Sequence, residues 1–432
     1  MRTTRRQFIK TSASAVTLSM VMPKIILGQS PVTLNRRIFV MIQMEGANDG
    51  LNTIIPYSNS RYISLRPFLH FKPEEMVNNG VSTVINNDFG FHPSLVELKG
   101  FWDAGKVAAV LGVGYPSANL SHFSSTDIWM SADPTQRTGT GWIGRYADTA
   151  LVGKSGLSAI SFGSVLPRVM FANKVVVPNI APSNNANNLF SNYTYQTDGR
   201  YTGDRNNQLN TFKANSTRAF DVGSFVEAIA DAGMEAESGA GTLANVVNTY
   251  QSSVTYPAGN PLSNPLKMVA QVVTTIGDAN IFHVRYGGFD NHSQQIGTTA
   301  DQFTNKAIGA HANLLRFLSQ GVKAFLDDMA EHGLADNVVV LTYSEFGRRP
   351  NENASKGTDH GEASELFVIG NAIKGGFFGA QPSLEATALS RAGNPVFTTD
   401  FRQVYAEILD KWLPNGDSPG VLNSTFNHLG FL

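Results

Sequence analysis

Arg37-Ile38-Phe39-Val40-Met41-Ile42-Gln43-Met44 runs straight into Glu45-Gly46-Ala47-Asn48-Asp49-Gly50-Leu51-Asn52. The first stretch, rich in β-branched and apolar residues, reads as a buried strand. The second is a polar, glycine-rich turn. The same pairing recurs along the chain. Residues 106–113 (KVAAVLGV) form a second apolar run, followed by a loop over 114–120. Residues 279–285 (ANIFHVR) end in Tyr286-Gly287-Gly288-Phe289-Asp290-Asn291-His292, and 337–343 (NVVVLTY) end in Ser344-Glu345-Phe346-Gly347-Arg348. A further strand is expected over 366–370. Helical spacing is read over 94–104, 121–131, 142–151, 265–276, 304–332 and 401–413. Apolar strands separated by helices imply an α/β fold with a mostly parallel sheet covered on both faces. In such sheets ligands bind at the carboxyl ends of the strands.

Those ends carry the chemistry. The strand over 37–44 leads to Asn48 and Asp49, that over 279–285 to Asp290 and His292, that over 337–343 to Glu345, and the loop beyond it to Asp359 and His360. Together they are nitrogen and oxygen ligands of the kind that suit Zn, Mn, Mg or Ca. Taken singly, each also has a plain reading. Asn48-Asp49-Gly50 is a turn, Asp290-x-His292 a loop cap, and Glu345 a partner for Arg348 or Arg349. Ser121 stands at the expected start of a helix, where backbone N–H groups and the dipole favour an anion such as phosphate or sulfate. It is either an N-cap or a nucleophile for transfer of such a group. His122 is read as a general acid or an anion contact. Arg145, Arg348 and Arg349 are possible anion clamps.

Composition narrows the classes. The chain is 42% hydrophobic, 10% aromatic and 16% charged, with a formal net charge of −1, so it has no broad basic field for nucleic acid or anionic lipid. It holds no cysteine, which excludes thiolate nucleophiles and thiolate metal sites. No apolar run in the expected mature chain reaches the roughly 20 residues of a membrane span. The stretch at about 178–241 is crowded with Asn, Ser, Thr, Gly and Tyr, and reads as a loop-rich insertion.

Thr4-Arg5-Arg6-Gln7-Phe8-Ile9-Lys10 followed by a weakly apolar segment has the form of a twin-arginine export signal. Residues 1–30 are therefore set apart from the domain expected over 31–432. The expected location is periplasmic or secreted, with the twin-arginine translocase as partner during export.

Glu45 to Asn52, Phe91-His92-Pro93, Ser121-His122-Phe123, Gly287-Gly288-Phe289-Asp290-Asn291-His292, Ser344-Glu345-Phe346-Gly347-Arg348-Arg349-Pro350 and Gly357-Thr358-Asp359-His360-Gly361 stand in an order that resembles the DUF1501 family of exported bacterial proteins. The resemblance runs from about Arg37 to Leu432 and includes Phe401-Arg402-Gln403-Val404-Tyr405 and Lys411-Trp412-Leu413. It implies an alkaline phosphatase- and sulfatase-like fold, a three-layer α/β/α sandwich with one or two divalent metals at the strand ends. On that analogy Asp49, Asp290, His292, Glu345 and His360 are metal ligands and Ser121 is the nucleophile. Two departures stand out. A single residue separates Asp290 from His292 where three-residue spacing is common, and Phe346 stands where a metal-binding His is expected. Formylglycine chemistry does not fit, since no Cys exists and neither Ser164 nor Ser344 lies in the required motif.

The expected function is a metal-dependent hydrolase of phosphate or sulfate esters, small-molecule or glycan, with Ser121 and His122 as catalytic residues. The alternative is a non-catalytic exported protein of the same fold that binds glycans or a secretion partner.

Overall fold

The structure, a computed structural model, describes residues 36–182, 189–190, 239, 242–243, 245–301 and 305–432. The segment expected to direct export and most of the 178–241 stretch lie outside the described residues. The chain divides into two compact units. One comprises Arg37–Arg137, Ser253–Lys267 and His283–Leu432; the other comprises the described residues within Thr138–Ser252 and Met268–Phe282, with Arg36.

The elements that carry the site are β1 (Ile38–Glu45), α1 (Val96–Asp103), β2 (Val107–Gly114), α2 (His122–Ser131), β3 (Ile281–Gly287), α3 (Ala310–Glu331), β4 (Val338–Tyr343), β5 (Gly347–Glu352), β6 (Thr358–Gly361), β7 (Ser364–Ile369), β8 (Gly376–Gly379) and β9 (Thr399–Asp400). Their sheet runs β8-β2-β7-β4-β1-β3, with β9 also on β2. β1 and β4 are parallel from Ile38 opposite Val338 to Gln43 opposite Tyr343. β8 and β9 are parallel to β2, whereas β7 is antiparallel to both β4 and β2. The sheet is thus mostly parallel. Every residue of β2, β4 and β7 is buried, and only Glu45 of β1 is not. Strands enclosed on both faces account for their near-continuous apolar sequence. The apolar run over 366–370 has the same look whichever way it points, so pattern alone does not reveal that β7 is reversed.

Helix boundaries shift by local chemistry. Gly309 caps α3, so the helix expected from 304 begins at Ala310, after a short 3₁₀ turn over Lys306–Ile308. The helix expected over 401–413 is α-helical over Phe401–Glu407 and continues as a π-helix over Ile408–Trp412. The segment 357–361, expected as a loop, is instead β6, paired antiparallel with β5 and placing Arg348 opposite His360.

Two features aim the strand ends. After β1 the chain turns through Gly46 at φ 112° and Ala47 at φ 63°. A Cβ on Gly46 would lie 2.5 Å from the Asp290 nitrogen, so only glycine lets this turn back onto the Phe289–Asp290 backbone. α2 is docked by Trp129, stacked on Phe401 at 4.4 Å, and by Ser125, whose hydroxyl donates to the Glu345 carbonyl at 2.5 Å.

In the other unit, Ala159–Phe162 pairs in parallel with Asn179–Ile180. The Asp148 carboxylate there accepts from the Asn173 and Lys174 amides at 2.7 and 2.5 Å. Among the described residues, no helix is long and apolar enough to cross a membrane.

Candidate metal centre

His122, Asp290 and His360 converge: one ligand atom of each lies within 4.8 Å of the other two. His122 is the first residue of α2, Asp290 follows β3, and His360 lies on β6. The imidazoles are held from behind. His122 Nδ1 donates to Glu345 Oε1 at 2.7 Å. His360 Nδ1 faces the Leu120 carbonyl at 2.9 Å. A carbonyl and a carboxylate only accept, so in the neutral rings Nδ1 bears the proton and Nε2 the lone pair. His360 Nε2 lies 3.3 Å from Asp290 Oδ1. His122 Nε2 lies 3.5 Å from Asp290 Oδ2, yet it is enclosed and has no hydrogen-bond partner.

His292 adds a fourth group. Its Nε2 is 2.9 Å from His360 Nε2 and 3.0 Å from Asp290 Oδ1, and its Nδ1 faces Asp359 Oδ1 at 3.4 Å. Beneath the cluster, Phe346 is buried and sets its ring 5.0 Å from that of His122 and 4.7 Å from that of His360. Phe346 thus forms an apolar floor that fixes both imidazoles.

Charge is arranged around the same point. Glu345 is buried and also accepts from the Gly46 amide at 2.9 Å, which the left-handed turn presents to it. The Glu345 carboxylate, helped by Asp290 and against the lowering effect of burial, raises the His122 imidazole above its ordinary value. Burial pushes the Asp290 carboxyl up, but the Arg348 guanidinium, with His360 and His292, outweighs it and holds the group below the carboxylate range. Burial, the largest influence on His360, lowers that imidazole. Arg348 is enclosed and donates to the Ala47 carbonyl at 2.7 Å, the Thr358 carbonyl at 2.8 Å, the Gly46 carbonyl and Asp290 Oδ1 at 2.7 Å. It therefore clamps the three strand-end turns together.

The expected ligands separate into groups. Asp290, His292 and His360 meet. Glu345 stands behind His122 and orients it. Asp49 is wholly buried elsewhere: Arg66 grips both its oxygens at 2.6 and 2.9 Å, and Gln295 donates to it at 2.6 Å. Burial raises the Asp49 carboxyl, and the Arg66 guanidinium overrides that and lowers it. Ser121 is the N-cap of α2; it is exposed, and its side chain makes no capping bond. His122, expected as an acid or anion contact, sits with its Nε2 among the ligand atoms.

The donor chemistry fits a divalent cation. Three protein groups leave further positions open, as in catalytic sites. Acceptors behind metal-binding imidazoles fix their tautomer. An enclosed Nε2 with no partner is the atom that a cation would satisfy.

The family model described as "Protein of unknown function (DUF1501)" matches residues 106–425. No curated protein matches the sequence. Among solved structures, the chain is similar to a protein in the alkaline phosphatase superfamily from Vibrio parahaemolyticus, with 9% identity, 88% of this chain and 72% of that one covered, and a TM-score of 0.33. It is also similar to the lipoteichoic acid synthase LtaP from Listeria monocytogenes, with 9% identity, coverage of 90% and 81%, and a TM-score of 0.35. A third likeness is to the C-terminal periplasmic domain of EcEptC from Escherichia coli in complex with Zn, with 9% identity, coverage of 78% and 73%, and a TM-score of 0.36. Each of these likenesses is distant.

Proposed function

The chain belongs to the DUF1501 family, and from that premise we propose that it is a metal-dependent hydrolase of phosphate or sulfate esters. The observation that carries the reading is the back-bonding of His122 and His360, which aims two Nε2 lone pairs at Asp290. His122, Asp290 and His360 would hold the cation, with His292 beside them. Imidazole donors favour Zn over Mg or Ca, which take oxygen ligands. A bound cation would stabilise the charge that develops on the ester's non-bridging oxygens.

The chain's own residues would do the rest. Ser121 directly precedes His122, and its uncapped hydroxyl is the proposed nucleophile. The first amides of α2 have no partner within the helix and face an anion favourably. Arg348 holds Asp290 in place, and Phe346 keeps the imidazoles from turning. We also propose that the Arg5-Arg6 segment directs folded export to the periplasm or beyond; retention of an Arg5→Lys, Arg6→Lys variant in the cytoplasm is the expected result on cell fractionation.

The deciding experiment is a panel of phosphomonoester, phosphodiester and sulfate-ester substrates, small-molecule and glycan, run on metal-loaded protein and on the Ser121→Ala variant. Turnover abolished by Ser121→Ala supports the reading. No turnover of any ester by folded, metal-loaded protein would instead favour a non-catalytic binder.

A further inference from the structure

β2 gives no ligand to the metal centre. Yet its last residue, Gly114, is followed by Tyr115, a buried tyrosine whose hydroxyl is tied into the backbone around the centre.

Hydrogen-bond directions at this hydroxyl follow from what each partner can do. The Glu345 carbonyl only accepts, so Ser125 Oγ donates to it at 2.5 Å. A serine hydroxyl has one proton, so Ser125 Oγ must accept from Tyr115 Oη, 2.8 Å away. Tyr115 Oη in turn accepts from the Asn119 amide at 3.0 Å. The Asn119 carbonyl, at 3.3 Å, is the weaker competitor for the phenol proton. A directed chain therefore runs from Asn119 through Tyr115 and Ser125 to Glu345, and each bond in such a chain polarises the next.

Both ends of the chain stop at groups that hold the imidazoles. At one end the Glu345 carboxylate accepts from His122 Nδ1 at 2.7 Å. At the other, the Asn119 side chain accepts the Ser121 amide at 2.8 Å. The backbone is thus pinned on either side of Leu120, whose carbonyl accepts from His360 Nδ1 at 2.9 Å. The His122 and His360 rings stand 4.5 Å apart at 79° to each other. A slide of either acceptor would turn its imidazole and move one Nε2 off the point they share with Asp290.

We infer that Tyr115 is a positioning residue for the metal centre: its hydroxyl sets the spacing between Leu120 and Glu345, and so aims both imidazole ligands at one cation. The word cation rests on the metal-centre reading; the hold of Tyr115 on the His360 ring does not.

The test compares wild type with Tyr115→Phe, which removes only the hydroxyl. Zinc affinity is measured by chelator competition, and the tautomer of His360 by long-range proton–nitrogen NMR on metal-free protein. Tyr115→Phe is expected to stay folded, to bind zinc about ten-fold or more weakly, and to show His360 exchanging between tautomers where wild type keeps the proton on Nδ1. Unchanged zinc affinity and an unchanged His360 tautomer, with only a lower urea midpoint, would overturn the proposal and leave Tyr115 a packing residue. Should Tyr115→Phe fail to fold, Ser125→Ala breaks the chain one bond further on: a similar loss of zinc affinity supports the proposal, and wild-type affinity overturns it. If wild type itself takes up no zinc, the metal-centre reading fails, while the His360 tautomer in metal-free Tyr115→Phe still decides the role of Tyr115.

Discussion

Nδ1 of His122 and Oε1 of Glu345 are 2.7 Å apart, and the same oxygen takes the Gly46 amide at 2.9 Å. One buried carboxylate oxygen therefore joins the turn after β1 to the start of α2. The negative field that raises the His122 imidazole would equally favour a cation at its Nε2.

Glu345→Gln should weaken metal binding without unfolding the protein. The amide keeps the shape but supplies no charge, and losses of a partner behind a metal ligand run at about 10–100-fold in affinity. Competition titration with a chromophoric chelator measures this directly. Unchanged affinity would remove Glu345 from the centre.

Asp49 and Arg66 form a buried pair whose role is to hold the turn after β1. Removing one partner leaves a charge enclosed and unpaired, which costs about 3–5 kcal/mol. Arg66→Met should therefore lower the denaturation midpoint strongly. Asp49→Asn should leave Zn affinity near the wild-type value in whatever fraction stays folded. A large loss of Zn affinity in that folded fraction would make Asp49 a ligand after all.

Glu365 is buried beside Asn48, whose Nδ2 donates to it at 2.6 Å. Burial, reinforced by the nearby Asp49 charge, pushes its carboxyl up from 4.5 to about 8. The folded state then binds more protons than the unfolded state between those values, so stability falls as pH rises through this window. At about 1.4 kcal/mol per unit, the loss reaches the order of 3 kcal/mol by pH 7. His92 and His311, both lowered chiefly by burial, act in the opposite sense below pH 6.5. The difference between Glu365→Gln and wild type isolates Glu365: the variant's advantage should grow from pH 4.5 to 8. A pH-independent difference in urea midpoints would contradict it.

Ser121→Ala should keep the metal and lose turnover, by about three orders of magnitude or more if the hydroxyl is the nucleophile. Parallel metal analysis and rate assays separate the two effects. Turnover near the wild-type rate would assign the attacking group to water.

Much of this arrangement was legible along the chain. The strands at Ile38 and Val338 announce themselves by unbroken apolar runs, and Ser121 lies where a helix cap was expected. Asp290 and His360 are both candidate ligands on the sequence pattern, and the fold brings them together. Other features depend on pairing across long separations. Nothing near Arg66 marks it as the partner of Asp49, because a short helix and a tertiary turn bring them together. The segment at Thr358–Gly361 lacks strand alternation, since a small polar hairpin buries no continuous face. The sequence reads His122 as a general acid or an anion contact, and only the fold shows a carboxylate behind its Nδ1. Phe346 stands where the resemblance implies a metal-binding His, and the fold packs its ring against two imidazoles, a contact that no spacing reveals.

His122, Asp290 and His360 are proposed to hold a divalent cation. Elemental analysis by mass spectrometry, on natively purified wild type and on His360→Ala, tests it most directly. A stoichiometric transition metal, foremost zinc, is expected in wild type and is expected to be lost from folded His360→Ala protein. Wild-type protein that carries no metal and takes up no added zinc, or a His360→Ala variant with the same metal content, would contradict it.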